Sequence, residues 1–289
     1  ALYRAKEAGR NRLCLFEARL QEDVTSRVLL LRDLRNALPR QELELHYQPL
    51  VNVQRQLVGV EALLRWRHPQ RGMVSPLEFI ALAEQTGLIL PIGRWVLETA
   101  CRQLAAWDTA GFSVGHVAVN LSAHQFNDPG LTHHLKAVLS DSGLAARRLE
   151  LEVTESTLIN NPTAAIALMT ELKELGVRLS IDDFGTGYSS LAQLKRFPLD
   201  TLKIDRTFVS GIPADASDLA ITEAIIAMAK KLSLSVVAEG VETADQRDFL
   251  ARCGSELIQG YFYSPPLAAE ALHSFSRMFD SDAPPVALT

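Results

Sequence analysis

Short apolar runs that lead into a carboxylate or an amide recur along this chain. Leu57-Val58-Gly59-Val60 leads to Glu61, and Val117-Ala118-Val119 leads to Asn120. Leu149 to Val153 carries Glu152 and leads to Glu155, while Val177 to Ile181 leads to Asp182 and Asp183. Leu202 and Ile204 flank Lys203, and Val236-Val237-Ala238 leads to Glu239. Most runs are followed by helix-like sequence, as in Ala164 to Leu175, Leu219 to Leu232 and Asp245 to Cys253. Strands that alternate with helices make a parallel sheet covered by helices. Polar groups at the ends of such strands converge on one site.

About eight strand-like runs predict an α/β fold, a TIM-like (β/α)8 barrel. They centre on Leu45-His46-Tyr47, Val58 to Leu64, Val117 to Leu121, Leu149 to Val153, Val177 to Ile181, Thr201 to Ile204, Ser235 to Ala238 and Leu257 to Gly260. The first connection breaks the rule. Only Gln54, Arg55, Gln56 and Leu57 separate Val53 from Val58, whereas a parallel crossover needs roughly a dozen residues. The first two strands therefore form a hairpin, and the barrel has one antiparallel strand. An open doubly wound sheet would spread the same polar residues along an edge and bring fewer of them together.

The chain has 289 residues, 47% of them hydrophobic, with a net charge of −5. That is enough apolar sequence for a substantial core, and an acidic balance argues against a nucleic-acid polymer as partner. Cys14, Cys101 and Cys253 are isolated and fit neither a disulfide framework nor a zinc site, as expected in a reducing cytoplasm. There is no apolar run of the roughly 18 residues that a membrane span needs.

Glu61, Asn120, Glu152, Asp182, Asp183 and Glu239 offer only oxygen, which suits Mg²⁺ or Mn²⁺ better than zinc. Converging carboxylates need cations between them. Adjacent residues on a regular strand face opposite ways. Asp182 and Asp183 therefore share a site only where the strand ends and the chain turns, as Phe184-Gly185-Thr186-Gly187 implies. Two ions a few Å apart would suit phosphoryl chemistry. Lys203 would hold an attacking water, act as a base, neutralise a phosphate, or pair with a barrel carboxylate. Arg65 follows Glu61 by four residues, so both share one strand face, and its guanidinium would clamp a phosphate or lie at the surface. Gln48 and Gln259 would read a base edge or cap backbone groups. Tyr188-Ser189-Ser190 reads as a helix start.

Val60-Glu61-Ala62-Leu63-Leu64-Arg65-Trp66 resembles the signature of EAL-domain cyclic-di-GMP phosphodiesterases. Tyr47-Gln48-Pro49, Asn120-Leu121-Ser122, Glu152-Val153-Thr154-Glu155 and Asp182-Asp183-Phe184-Gly185-Thr186-Gly187-Tyr188-Ser189-Ser190 resemble further blocks of the family, in its order. So do Leu202-Lys203-Ile204-Asp205, Ala238-Glu239-Gly240-Val241-Glu242 and Gln259-Gly260-Tyr261. Pro265-Pro266 departs from the basic residue and Pro often found there.

The resemblance, which covers roughly residues 29 to 275, implies hydrolysis of one phosphodiester of cyclic-di-GMP to linear pGpG with two Mg²⁺ or Mn²⁺ ions. Glu61, Asn120, Glu152 and Asp182 would bind the first ion. Asp182 would bridge, and Asp183 would serve the second ion, with Glu239 holding its water shell. Lys203 would orient the attacking water, so Lys203, Glu239 and Glu61 form the catalytic set. Gln48, Arg65 and Gln259 would contact substrate, and Glu155 would brace the Asp-Asp loop. A homodimer through helices near that loop, with no membrane contact in this stretch, belongs to the same expectation. A non-hydrolysing receptor and a metal-dependent lyase or isomerase are the competing readings. Ala1 to Arg12 resembles the last helix of a GGDEF domain. The expected organisation is residues 1–19 as tail and linker, 20–279 as the EAL barrel, and 280–289 as a disordered end.

Overall fold

A computed structural model describes residues 18–185 and 191–279. The expected GGDEF-like tail up to residue 17, the helix start at Tyr188-Ser189-Ser190 and the C-terminal end lie outside the described residues. The chain divides into two compact units, residues 1–44 with 65–88, and residues 45–64 with 89–289.

The strands are β1 (Leu43–Asn52), β2 (Leu57–His68), β3 (Gly72–Val74), β4 (Val117–Leu121), β5 (Leu149–Thr154), β6 (Arg178–Phe184), β7 (Thr201–Ile204), β8 (Ser235–Ala238) and β9 (Leu257–Ile258). They form one sheet in the order β1-β9-β8-β7-β6-β5-β4-β2-β3, and the further β1–β2 pairing closes it. Eight strands thus make the barrel, with β3 as an extra edge strand on β2.

The barrel pairings fall in the larger unit. β2, β4, β5, β6, β7, β8 and β9 pair parallel in sequence, and β1 pairs antiparallel with β9 through Val51 and Ile258. The tight connection is visible in Asn52 N–H donating to Gln56 O at 3.0 Å. The sequence spacing that forbids a crossover is realised as a hairpin, and β1 is the one reversed strand.

Alternation sorts the strands. Leu149, Leu151 and Val153 on β5, Leu179 and Ile181 on β6, and Leu202 and Ile204 on β7 are completely buried. The residues between them, Glu150, Glu152, Ser180, Asp182 and Lys203, take the opposite face of the same strands. Behind this face the helix Pro162–Leu175 packs on β6 and Ala216–Lys231 on β7, and each fully buried aliphatic side chain contributes about 1.5–3 kcal/mol. The polar set lines the inside. A polar lumen is tolerable only if each group finds a partner.

In the smaller unit, the helix Ala18–Ala37 buries Leu30, Leu34 and Ala37, spaced for one face. Trp66 is fully buried against Phe79, ring centroids 5.6 Å apart, and its Nε1 donates to Glu42 Oε2 at 3.0 Å. Among the described residues no helix is long and apolar enough to cross a membrane.

Candidate active site

Register brings the strand ends level. Asn120 on β4 pairs with Glu152 on β5, and Thr154 on β5 pairs with Asp182 on β6. Glu239, just past β8, donates its backbone N–H to Ile204 O at 3.1 Å, and Gln259, just past β9, donates to Ala238 O at 2.9 Å. The parallel strands therefore deliver these residues at the C-terminal mouth.

Lys203 is at the centre, only 1% exposed. Its Nζ lies 2.6 Å from Glu152 Oε2 and 2.6 Å from Glu239 Oε1. Glu61 Oε2 and Asp182 Oδ1 each stand 3.5 Å away. Of the roles open to Lys203 in the sequence, pairing with barrel carboxylates is the one this arrangement displays. Glu61 is held from two further sides, with Asn120 Nδ2 donating to Oε1 and Gln259 Nε2 donating to Oε2.

One ammonium faces four carboxylates. Burial works against the Lys203 charge, but Asp182, Glu152, Glu239 and Glu61 outweigh it and hold Lys203 protonated well above its ordinary range. Burial also raises Glu239, to about 8, despite Lys203. Glu152 is pushed up by burial and by its carboxylate neighbours. For Glu61, burial is overcome by the Lys203 charge and the two amide donors, and its carboxyl falls below its usual value. Four carboxyl groups thus share one ammonium, and burial with their mutual repulsion favours the protonated forms of Glu239 and Glu152.

The Asp pair reaches the site by a different route from the expected one. β6 does not end at Asp182 but continues to Phe184, and the β6–β7 register shifts between Ile181 and Phe184. Asp183 takes a left-handed backbone with φ 54°, and its N–H donates to Asp182 Oδ1 at 2.9 Å. The local irregularity breaks the alternation that would point the two carboxylates apart. Gly185 follows at φ 99°, and its N–H donates to Glu155 Oε2 at 3.1 Å. Glu155, buried at the start of the helix Glu155–Asn160, thus braces this loop directly. Burial, then Asp182 and Asp205, raise the Asp183 carboxyl. Asp205 was assigned no role in the sequence. Its side chain caps the helix Arg206–Ser210, accepting from the Thr207 N–H at 3.0 Å.

The amides are tied to protein groups. Gln48 Nε2 donates to Ser264 O at 3.3 Å, and Gln259 Nε2 also donates to Gln48 Oε1 at 3.1 Å. Gln259 Oε1 is buried with no hydrogen-bond partner. Arg65 lies half-buried on β2 in the smaller unit.

Residues 31–266 match the family described as the EAL domain. The chain belongs to this family. It is 48% identical over 273 residues to the bifunctional diguanylate cyclase/cyclic di-GMP phosphodiesterase MucR of Pseudomonas aeruginosa, covering 94% of this chain and 40% of that protein. It is 48% identical over 286 residues to the cyclic di-GMP phosphodiesterase NbdA of the same organism, covering 99% of this chain and 36% of that protein. A solved structure titled PaMucR phosphodiesterase, c-di-GMP complex, superposes with a TM-score of 0.82 at 49% identity, over 84% of this chain and 99% of that one. The chain thus spans well under half the length of these curated relatives.

The donor set fits the divalent ions that the EAL fold implies. Its oxygens are hard, its four carboxyl groups share one ammonium, and Gln259 Oε1 is a buried acceptor left over. Among the described residues no three His, Cys, Asp or Glu side chains are already gathered in a ligand geometry. The carboxylates turn toward Lys203 instead.

Proposed function

We propose that this chain is a cyclic-di-GMP phosphodiesterase that opens one phosphodiester to give linear pGpG, using two Mg²⁺ or Mn²⁺ ions. The observation that carries the reading is the single buried ammonium of Lys203 among Glu61, Glu152, Asp182 and Glu239 at the mouth of an EAL barrel. The curated names of the relatives at 48% identity support the substrate.

Glu61, Asn120, Glu152 and Asp182 would hold the first ion, and Asp182 with Asp183 the second. When bound, the ions supply charge stabilisation for the phosphodiester and acidify the attacking water. Lys203 donates hydrogen bonds from a fixed ammonium and orients that water. Glu239, raised to about 8 by burial, accepts from Lys203 and would hold the second ion's water shell. Gln48, Arg65 and Gln259 would contact the substrate. Asn120 and Gln259 fix the rotamer of Glu61. Self-association through helices beside the Asp182–Asp183 loop and action in the cytoplasm complete the reading.

Glu61→Ala tests it. Product formation from cyclic-di-GMP should vanish while the metal-free melting curve keeps one cooperative transition. Turnover at the wild-type rate would dismiss the site assignment. Tight nucleotide binding by the wild-type chain without product would instead make it a receptor.

A further inference from the structure

A second polar layer lies inside the barrel beneath the site, and none of the chemistry above uses it. His116, just before β4, accepts the backbone N–H of Val60 on β2 at its carbonyl at 3.0 Å, and its ring lies against Gly59 of the same strand. Its Nε2 lies 3.5 Å from Glu150 Oε2 on β5. The same Glu150 oxygen lies 2.9 Å from Arg178 Nε at the start of β6, as an ion pair without an aligned hydrogen bond. Arg178 Nη2 reaches Thr201 Oγ1 on β7 at 3.4 Å. The chain of contacts therefore runs β2–β4–β5–β6–β7 without skipping a strand.

These strands carry Glu61, Asn120, Glu152, Asp182 and Lys203 in the same order. Glu150 and Thr201 sit two residues below Glu152 and Lys203, about 6.6 Å along the strand. His116 and Arg178 sit four residues below Asn120 and Asp182. The parallel pair Glu150↔Arg178 sets these two level, His116 lies two residues below Ala118, the partner of Glu150, and Arg178 lies two residues below Ser180, the partner of Thr201. Space for the His116 ring exists only because residue 59 is glycine. A Cβ there would fall on the ring. Burial keeps His116 below its ordinary pKa, so the layer holds one carboxylate and one guanidinium and closes its own charge.

We propose that His116, seated against Gly59, together with Glu150, Arg178 and Thr201 forms a positioning layer that fixes the relative heights of the five strands bearing the metal ligands and Lys203. The layer touches neither substrate nor ion. It acts by holding the ligands close to the arrangement that a divalent ion requires, as outer-layer partners do in other metal sites. This inference rests on the proposed metal-dependent reading.

The test uses the double variant Glu150→Gln/Arg178→Met and, from the opposite side, Gly59→Ala. The double variant removes both charges together, a change that buried ion pairs commonly tolerate in stability. Gly59→Ala leaves every charge in place and displaces the His116 ring. Mn²⁺ binding is read by the loss of the free-ion electron paramagnetic resonance signal, alongside metal-free melting, kcat and KM. We expect Mn²⁺ affinity to fall about 10-fold or more in both variants. KM should stay within about twofold, and kcat should recover at high Mn²⁺. Wild-type Mn²⁺ affinity in either variant that retains a cooperative melt would overturn the proposal, and so would loss of folding in both, which would make the layer purely structural. Wild-type protein that binds Mn²⁺ without hydrolysing cyclic-di-GMP would overturn the functional reading and leave this inference standing.

Discussion

Glu155 Oε2 accepts a hydrogen bond from the backbone N–H of Gly185 at 3.1 Å, across 30 residues of sequence. The contact anchors the turn that follows the left-handed Asp183. Without it, the turn carrying Asp183, the carboxylate proposed for the second ion, has one fewer fixed point. Glu155→Ala should reduce kcat by about 10–100-fold, whereas Glu155→Gln, which keeps an acceptor oxygen, should fall between the two. Steady-state rates at saturating Mn²⁺ check the order.

Gly185 answers a steric need as well. Its φ of 99° is a conformation that residues with side chains rarely adopt, and a Cβ would stand 2.8 Å from the Phe208 ring. Gly185→Ala should cost about 1–3 kcal/mol of stability. Urea denaturation should show the midpoint shift with little change in slope. An unchanged midpoint would mean that the turn is not held as described.

The excess of carboxylates predicts a pH dependence in protein stripped with EDTA. Burial, opposed by Lys203, raises Glu239 from 4.5 to about 8. The folded state then binds more protons than the unfolded chain between those values. Its extra stability is full below 4.5 and is lost as pH rises through about 8. Between about pH 7 and pH 8.5, above the ordinary histidine range, the metal-free protein should lose on the order of 1 kcal/mol. Calorimetric melting should show the fall, and Mn²⁺ should raise the melting temperature most at the alkaline end. A melting temperature that climbs across this window without metal would contradict the charge assignment.

Burial pushes the Cys101 thiol up to about 12. Native protein at pH 8 should therefore leave Cys101 unmodified by iodoacetamide, with the less buried Cys253 reacting ahead of it. Peptide mass mapping separates the two sites.

What the sequence revealed and what it hid divide along a physical line. The reversed first strand was legible because four residues cannot cross over a sheet, and chain length alone decides that. Glu61, Asn120, Glu152, Asp182 and Lys203 were legible because each ends or interrupts an apolar run. The geometry at Asp183 was not, because the alternation there is broken by a left-handed residue and a register shift within a strand that runs on to Phe184. Nor was the tie between Gln48 and the Ser264 carbonyl, which joins residues 216 apart. The His116–Glu150–Arg178 layer was hidden for a similar reason. Glu150 looks like ordinary strand alternation until the barrel register sets Arg178 beside it.

The most direct measurement is a chromatographic time course of the purified chain with cyclic-di-GMP and Mn²⁺, alongside an EDTA control. The account requires pGpG to accumulate with metal and not with EDTA. Cyclic-di-GMP that stays intact at saturating Mn²⁺, or product formed equally in EDTA, would contradict a metal-dependent phosphodiesterase built around Lys203 and its carboxylates.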